Sequence, residues 1–169
     1  FELDRKGQVF YLFNNVSKIT SKAAALQKKY PKKVVAYAHG QMNQNELSEI
    51  VRKFSQKEIH ILVCSTIVEN GLDIPNANTI IVEKAENYGL SQIHQIRGRV
   101  GRSTIQAYAA LFYSTTILSE VAEKRLKAIK QYAFLGAGYK LALKDLEIRG
   151  SGSLLGKKQH GRMIMVGFE

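Results

Sequence analysis

The sequence has 169 residues, 45% of them hydrophobic and 23% charged, which is typical of one soluble globular domain with space for a small subdomain. Its formal charge of +11 favours a phosphate-rich or otherwise acidic partner without deciding between them. A single cysteine, Cys64, excludes an internal disulfide, and the lack of a signal peptide or a run of about 18 apolar residues argues against membrane insertion. We therefore expect a cytoplasmic protein with no membrane partner. Because it opens on FELDRKGQVF without methionine, we also expect it to be a piece of something longer.

Five short β-rich runs predict strands, and helical patterns separate the first three. The runs are QVFYLF (8–13), KVVAYA (33–38), HILVC (60–64), TIIVE (79–83) and AYAALFY (107–113). The first helical pattern consists of Ile19, Ala23, Leu26 and Tyr30, ended by Pro31, and the second consists of Leu47, Ile50, Val51 and Phe54. This β-α-β-α-β order predicts an α/β domain with a mostly parallel sheet flanked by helices, and Cys64 is expected to be a small core residue.

After about residue 116 the pattern changes to helices and a glycine-rich end. Ala122, Leu126, Ile129 and Ala133 predict an amphipathic helix, and LGAG (135–138) separates it from a second short helix over 139–148. GSGSLLGKKQHGR then predicts a loop or hook. The expected division is therefore 1–116 for the α/β lobe and 117–169 for a helical hairpin with its loop.

No complete nucleotide-binding or metal-binding motif is present. The segment SGSLLGKK (151–158) fails the P-loop pattern at Ser151 and Lys158 and follows a helix rather than a strand. GAGYKL (136–141) lacks the third glycine of a dinucleotide site. The four histidines have no metal-ligand spacing, so no metal site is predicted.

An arginine-rich segment, HQIRGRVGR (94–102), contains the pattern QxxGRxGR. Arg99 and Arg102 are three residues apart, so on a helical turn both guanidinium groups can face one anion. A solvated basic helix end is the alternative for an arbitrary arginine pair, but the full pattern with Gln95 and the two glycines favours an anion site.

A second segment, STIVENGLDIP (65–75), follows the predicted strand HILVC. Thr66 comes just after the carboxyl end of that strand, where α/β proteins place ligand contacts. Gly71 and Asp73 form a loop whose carboxylate is within reach of a ribose or an arginine. An ordinary connection with Thr66 as a helix N-cap is the alternative.

Together these two segments resemble motifs V and VI of the superfamily-two helicases and translocases, in the right order and separation. GQVFYLFNNV resembles the start of the second RecA-like lobe of that superfamily, and YAHGQM (37–42) resembles its nucleic-acid-contacting segment. The resemblance implies a lobe that packs against a first RecA-like lobe carrying the P-loop, so that ATP and Mg²⁺ are held mainly by that missing lobe.

The tail EKRLKAIKQYAFLGAGYKLALKDLEIRGSGSLLGKKQHG (123–161) resembles the translocation motif shared by the coupling-factor and RecG families. Where RecG proteins tend to have PGD, this chain has Ser151, Gly152 and Ser153, which is more similar to the coupling factors. That family implies an ATP-driven motor on double-stranded DNA that displaces stalled RNA polymerase and helps excision-repair proteins through other domains. The resemblance leaves the role of Glu69 open.

The resemblance also implies residue roles. Arg102 matches the arginine finger, with Arg99 and Gln95 as companions, and Gly71 and Asp73 match nucleotide-linked positions. The positions similar to DNA-backbone contacts are Thr66, His39 and Gly40, and those similar to the translocation motif are Arg125, Arg149 and Gln159. Two alternatives remain: a RecG-type branch-migration lobe, and a non-catalytic basic module that binds nucleic acid or protein.

Overall fold

Five strands pair in parallel to form one sheet with the order β2-β3-β1-β4-β5. The computed structural model describes residues 1–65, 77–89, 92–93, 95, 106–113, 120–131, 143–144 and 147–148, without the side chains of 122, 125, 126, 129 and 130. The strands are β1 (Gln8–Leu12), β2 (Val35–Ala38), β3 (Ile61–Cys64), β4 (Ala77–Val82) and β5 (Tyr108–Leu111). The predicted parallel sheet is thus confirmed, with each strand inside or within two residues of its predicted run.

Two helices connect the first three strands and cover opposite faces of the sheet. Helix α1 (Val16–Lys29) begins at Asn15, whose side chain accepts a hydrogen bond from the Lys18 amide at 3.2 Å. Helix α2 (Gln44–Ser55) begins in the same way, with the Asn43 side chain accepting from the Glu46 amide at 2.8 Å. Asparagine is among the best residues for this position because its side-chain oxygen satisfies an amide that the helix leaves free.

The core consists of two apolar layers because side chains alternate across a strand. Val9, Ile61 and Val63 share one layer with Ile19 and Ala23 of α1. The other layer contains alternate residues of the same strands together with Phe54 of α2: Phe10, Leu12, Leu62 and Cys64. Cys64 is fully buried, as expected of a core cysteine.

Gln8 is a buried polar side chain that ties β1 to the end of α2. Its amide nitrogen donates to the carbonyl oxygens of Phe54 at 2.7 Å and Ile59 at 2.6 Å. The Phe54 carbonyl also accepts from the Lys57 amide at 3.0 Å, so Gln8 shares this acceptor and connects β1 to the segment that follows α2.

The third described helix, α3 (Glu120–Gln131), packs against the short 3₁₀ turn Ala85–Asn87. Ala128 on this helix is buried, and so is Ile148 in the helical pair 147–148. Both residues line one cleft with Lys127 and Lys144. None of the described helices is long and apolar enough to cross a membrane.

His60 connects the amino ends of β2 and β3. Its Nδ1 accepts a hydrogen bond from the Val34 amide at 3.1 Å. Burial lowers the pKa of the His60 imidazole from its ordinary value of 6.5, and the positive charge of Lys33 lowers it further. The folded chain therefore favours the neutral ring, and stability is complete above the ordinary pKa and declines as the pH falls below it.

We expect His60→Asn to weaken this pH dependence. The asparagine oxygen can replace Nδ1 as an acceptor but does not titrate. Urea unfolding at about pH 7.5 and about pH 5 should show a smaller loss of stability in the variant than in the wild-type chain. Equal losses in the two proteins would exclude His60 as a source of the pH dependence.

Candidate nucleotide- and DNA-binding edge

The carboxyl ends of all five strands lie along one edge of the sheet because the strands are parallel. In open α/β sheets, ligands bind at this edge. The described residues that follow the strands here include His39 after β2, Ser65 after β3, Glu83 after β4 and Phe112 after β5. Thr66, predicted as a DNA contact, follows Ser65 directly in the sequence but lies outside the described residues.

His39 and Gly40, predicted as DNA-backbone contacts, follow β2 at this edge. The His39 ring is half-buried and stacks on Tyr37, with ring centroids 6.1 Å apart and an angle of 18° between the planes. Its carbonyl oxygen accepts a hydrogen bond from the Met42 amide at 3.1 Å, which closes the turn around the exposed Gly40. This turn presents backbone close to the surface, where a phosphate can approach it.

Ser65 is the neighbour of His39 across the strand pair β2 and β3. The register pairs Ala38 with Cys64, and the Ser65 amide donates to the Ala38 carbonyl at 3.1 Å. Ser65 is 1% exposed, yet its hydroxyl has no hydrogen-bond partner among the described residues, and neither has the buried Nδ1 of His39. Buried polar atoms without a partner in the described part of the chain are commonly completed by a ligand, by water or by another segment.

Sequence reasoning did not identify Ser65 as part of the site. The signal was available, because Ser65 is the first polar residue after the apolar strand ILVC, one position before Thr66.

A cluster of Tyr11, Lys22 and Glu83 also lies towards this edge and was not anticipated. The Tyr11 hydroxyl and the Lys22 ammonium each donate to Glu83 Oε2 at 2.7 Å. Partial burial alone would raise the pKa of the Glu83 carboxyl, but the hydrogen bonds from Lys22 and Tyr11 outweigh it and keep that pKa below its usual value. The Lys22 ammonium also lies 5.1 Å from the Tyr11 ring centroid.

This cluster joins β1, α1 and β4, so its role is to fix the strand ends relative to the helix. Burial and the bond to Glu83 raise the pKa of the Tyr11 hydroxyl, so the phenol stays protonated and acts as a donor. Its three members come from distant parts of the sequence, which explains why no local pattern revealed them.

Gln95 is exposed on a short helical stretch whose neighbour Ile93 is buried in the core layer shared with Phe54. The Ile93 amide donates to the Gly89 carbonyl at 3.1 Å, and the Gln92 side chain accepts from the Gly89 amide. The segment that leads into HQIRGRVGR is therefore anchored to the sheet through Ile93.

The remaining predicted site residues are only partly described. Arg125 lies within α3, but its side chain is outside the described set. The others lie outside the described residues altogether: Thr66, Gly71, Asp73, Arg99, Arg102, Arg149 and Gln159. Within the described part of the chain, no group of three histidine, cysteine, aspartate or glutamate residues could hold a metal ion.

Comparison with known proteins connects this edge to a family. Residues 1–104 match the family model described as helicase conserved C-terminal domain. Transcription-repair-coupling factors from Staphylococcus haemolyticus and from Staphylococcus aureus strain NCTC 8325 are 52% and 51% identical over 169 residues. These alignments cover 99% of this chain but only 14% of the length of each relative.

Solved structures agree with that family. RecG bound to a three-way DNA junction matches with a TM-score of 0.74 and 33% identity, over 90% of this chain and 20% of the RecG chain. The C-terminal domain of the DEAD-box protein Dbp5 matches with a TM-score of 0.57 and 18% identity, over 75% of this chain and 69% of that domain. The second likeness concerns the fold alone. With its parallel RecA-like sheet and a family match over more than half of its length, the chain belongs to the helicase conserved C-terminal domain family.

Proposed function

We propose that this chain is the second motor lobe of an ATP-dependent translocase on double-stranded DNA, which displaces stalled RNA polymerase and couples transcription to nucleotide excision repair. The observation that carries the proposal is the 52% identity to a transcription-repair-coupling factor over 99% of the chain. The two motif segments lie within this aligned length, on a sheet of the kind that motor lobes use. Such a protein works in the cytoplasm, with RNA polymerase and excision-repair proteins bound through its other domains.

The nucleotide is shared with a first lobe in this proposal. Arg102 and Arg99 supply guanidinium groups, whose paired donors suit phosphate oxygens, and Gln95 accompanies them. Gly71 and Asp73 link the nucleotide to the DNA track. The first lobe supplies the P-loop and holds Mg²⁺, so the 169-residue chain alone is inactive as an ATPase.

The DNA track runs past the carboxyl edge, where Thr66, His39 and Gly40 contact the phosphate backbone. The buried Ser65 hydroxyl and His39 Nδ1, which have no hydrogen-bond partner in the described part of the chain, support a polar ligand at this place. Contacts to phosphates rather than bases suit a motor, because a protein that moves along DNA must bind every sequence similarly.

Residues 117–169 form the translocation motif in this proposal, with Arg125, Arg149 and Gln159 as its functional side chains. The burial of Ala128 and Ile148 beside a shared cleft supports a hairpin arrangement of this segment. The hairpin then transmits closure of the two lobes to the DNA.

The proposal is tested by polymerase displacement. A protein that contains this chain and a first lobe is mixed with RNA polymerase stalled on a labelled duplex by nucleotide omission. We expect release of the polymerase with ATP and no release with a non-hydrolysable ATP analogue or without nucleotide. A motor that hydrolyses ATP on duplex DNA but leaves the stalled complex intact would contradict the proposal.

A RecG-type function is the second candidate, favoured by the match to RecG on a three-way junction. Such a lobe would drive branch migration of forked DNA without a polymerase partner. Unwinding of a model fork, measured beside polymerase release with the same protein, separates the two. Fork remodelling without polymerase release would select RecG.

A further inference from the structure

The amino edge of the sheet, opposite the candidate site, carries exposed lysines on the last turn of α1 and on three neighbouring loops. They precede β2, β3 and β1, which are adjacent in the sheet. We call them the lysine edge, and its members are Lys6, Lys28, Lys29, Lys32 and Lys57. Because neighbouring strands are about 4.8 Å apart, the outermost of these loops are separated by roughly 10 Å.

Direct contacts hold the three loops together. Lys33 Nζ donates to the Leu3 carbonyl at 3.5 Å, which connects the loop before β2 to the segment before β1. The His60 amide donates to the Val34 carbonyl at 2.9 Å, and the Val9 amide donates to the His60 carbonyl at 2.9 Å. The lysine edge is therefore one surface and not three independent loops.

The end of α1, which carries Lys28 and Lys29, and the loop with Lys32 are held in a fixed conformation by Gln27. The Gln27 amide nitrogen donates to the Lys33 carbonyl at 2.7 Å, and its oxygen accepts from the Val35 amide at 3.0 Å. A merely solvated charged loop has no need of such a clamp.

The lysines of this edge have no carboxylate partner among the described residues, whereas other cations of the chain do. Arg52 and Lys53 on α2 both pair with Glu49, and Lys22 pairs with Glu83. Of the carboxylates near the amino edge, Glu2 pairs with Arg5 and Glu58 lies 3.9 Å from Arg52, which leaves the exposed Asp4 as a single negative charge beside five lysines. The edge therefore presents uncompensated positive charge.

Two of the lysines stand where the backbone favours glycine. Lys6 has φ 62° and Lys57 has φ 64°, both in the left-handed region. Each occupies the position after a helical turn, since the Gly7 amide donates to the Glu2 carbonyl at 2.9 Å and the Glu58 amide donates to the Lys53 carbonyl at 3.0 Å. This motif usually takes glycine, so lysine is retained there at a cost in stability.

We propose that the lysine edge binds the phosphate backbone of a second stretch of duplex DNA, separate from the one on the carboxyl-edge track. The inference deepens the proposed function, on which it rests. Duplex DNA carries one negative charge per about 1.7 Å, so each of the three loops has phosphates within reach. Protein interfaces are depleted in lysine, which favours a polyanion over an acidic protein.

The lysine edge and the track are separated by the length of the strands, roughly 15 Å for five residues. The two edges face opposite directions, and a duplex of about 15 base pairs is too stiff to bend around the sheet, so one duplex can occupy only one edge and the stoichiometry of binding reports both. We expect the wild-type chain to bind two such duplexes and the double variant Lys29→Gln/Lys32→Gln to bind one under the same conditions.

The matched control is Arg52→Gln/Lys53→Gln, which removes two charges that are already paired with Glu49. Binding is measured by fluorescence anisotropy between about 50 and 200 mM salt, with thermal unfolding as the check of folding. With DNA in large excess over the conditions of the stoichiometry experiment, the residual binding of the Lys29→Gln/Lys32→Gln variant at this edge should show a slope of log affinity against log salt lower by about 1.8, and the control should leave the slope unchanged. Equal slopes and two bound duplexes in the lysine variant would overturn the proposal.

Lys57→Gly separates binding from folding. Because glycine relieves the left-handed backbone, the midpoint of thermal unfolding should rise by roughly 2 °C while duplex binding at this edge weakens severalfold. A fall in the midpoint together with unchanged binding would assign Lys57 a structural role only and would contradict its place in the binding surface.

Two further measurements identify the partner and the track. If the lysine variant loses binding to polyglutamate but keeps both duplexes, the edge serves an acidic protein and the proposal is wrong. His39→Ala tests the carboxyl edge separately. If this variant binds DNA as the wild type does while the lysine variant loses one duplex, the proposed DNA track at the carboxyl edge is wrong and the lysine edge is supported.

Discussion

Replacing Arg102 with alanine is expected to lower ATP turnover by the assembled two-lobe motor by roughly 10³- to 10⁵-fold, the range seen when an arginine finger is lost in related NTPases. The guanidinium would stabilise the charge that develops as the terminal phosphoryl group leaves. Substrate affinity should change much less than turnover, because the interaction strengthens mainly in the transition state.

The control for this experiment is Arg97→Ala, which removes the same side chain from the same segment but outside the QxxGRxGR positions. Turnover is measured as phosphate release with saturating duplex DNA, and anisotropy on the same DNA verifies that binding is retained. Arg102→Lys should not restore turnover, since a single ammonium group cannot replace the paired donors of a planar guanidinium. Near wild-type turnover in Arg102→Ala would remove this arginine from the catalytic site.

The sheet could be predicted well because its central strands carry an unmistakable pattern. The four residues Ile61–Cys64 are all buried, as expected of a strand covered on both faces. The predicted length of the edge strand was too great. The run 107–113 predicts seven residues, but β5 ends at Leu111 and Phe112 is 58% exposed. An edge strand is supported by a neighbour on one side only, so apolar composition alone does not fix its length.

Two local differences have simple physical reasons. Tyr30 continues the helical spacing of Ile19, but it is the exposed residue that ends α1, because Pro31 disfavours helical geometry in the residue before it. Strand β4 begins at Ala77, before the predicted run, and its pairing with β1 shifts register between Gln8 and Val9. The shift leaves Asn78 as the extra residue of a bulge, and asparagine is uncommon in regular strands.

Some residues of the candidate site are indicated by a local sequence segment, and others are brought to the site only by the pairing of distant strands. His39 and Gly40 were predicted from the resemblance of one continuous segment, YAHGQM, and their DNA contacts stay a prediction. The place of Ser65 after an apolar strand is visible in the sequence, but its position beside His39 depends on the pairing of β2 with β3. The order β2-β3-β1-β4-β5 itself depends on pairings between distant segments, which no local pattern encodes.

Replacing Phe54 with alanine is expected to destabilise the chain by about 3–5 kcal/mol, the usual cost of removing a buried phenylalanine. Phe54 is 2% exposed and is the fully buried residue of α2, and it packs in the layer that contains Phe10 and Leu62. Leu47 and Ile50 of the same helix pack against this layer but are only partly buried, so the fully buried Phe54 ring makes the largest single contribution to the attachment of α2. Since a domain of this size has a total stability of about 5–15 kcal/mol, the loss is a large fraction of the whole.

The matched control is Phe112→Ala, the same change at a ring that is 58% exposed and follows β5. Its cost should stay below about 1 kcal/mol, because little area leaves the core. Urea unfolding followed by circular dichroism measures both variants at one pH. If Phe54→Ala and Phe112→Ala cost the same, then α2 is attached to the sheet through other contacts. Foremost among these are the hydrogen bonds from Gln8 to the Phe54 and Ile59 carbonyls, which the alanine variant leaves in place.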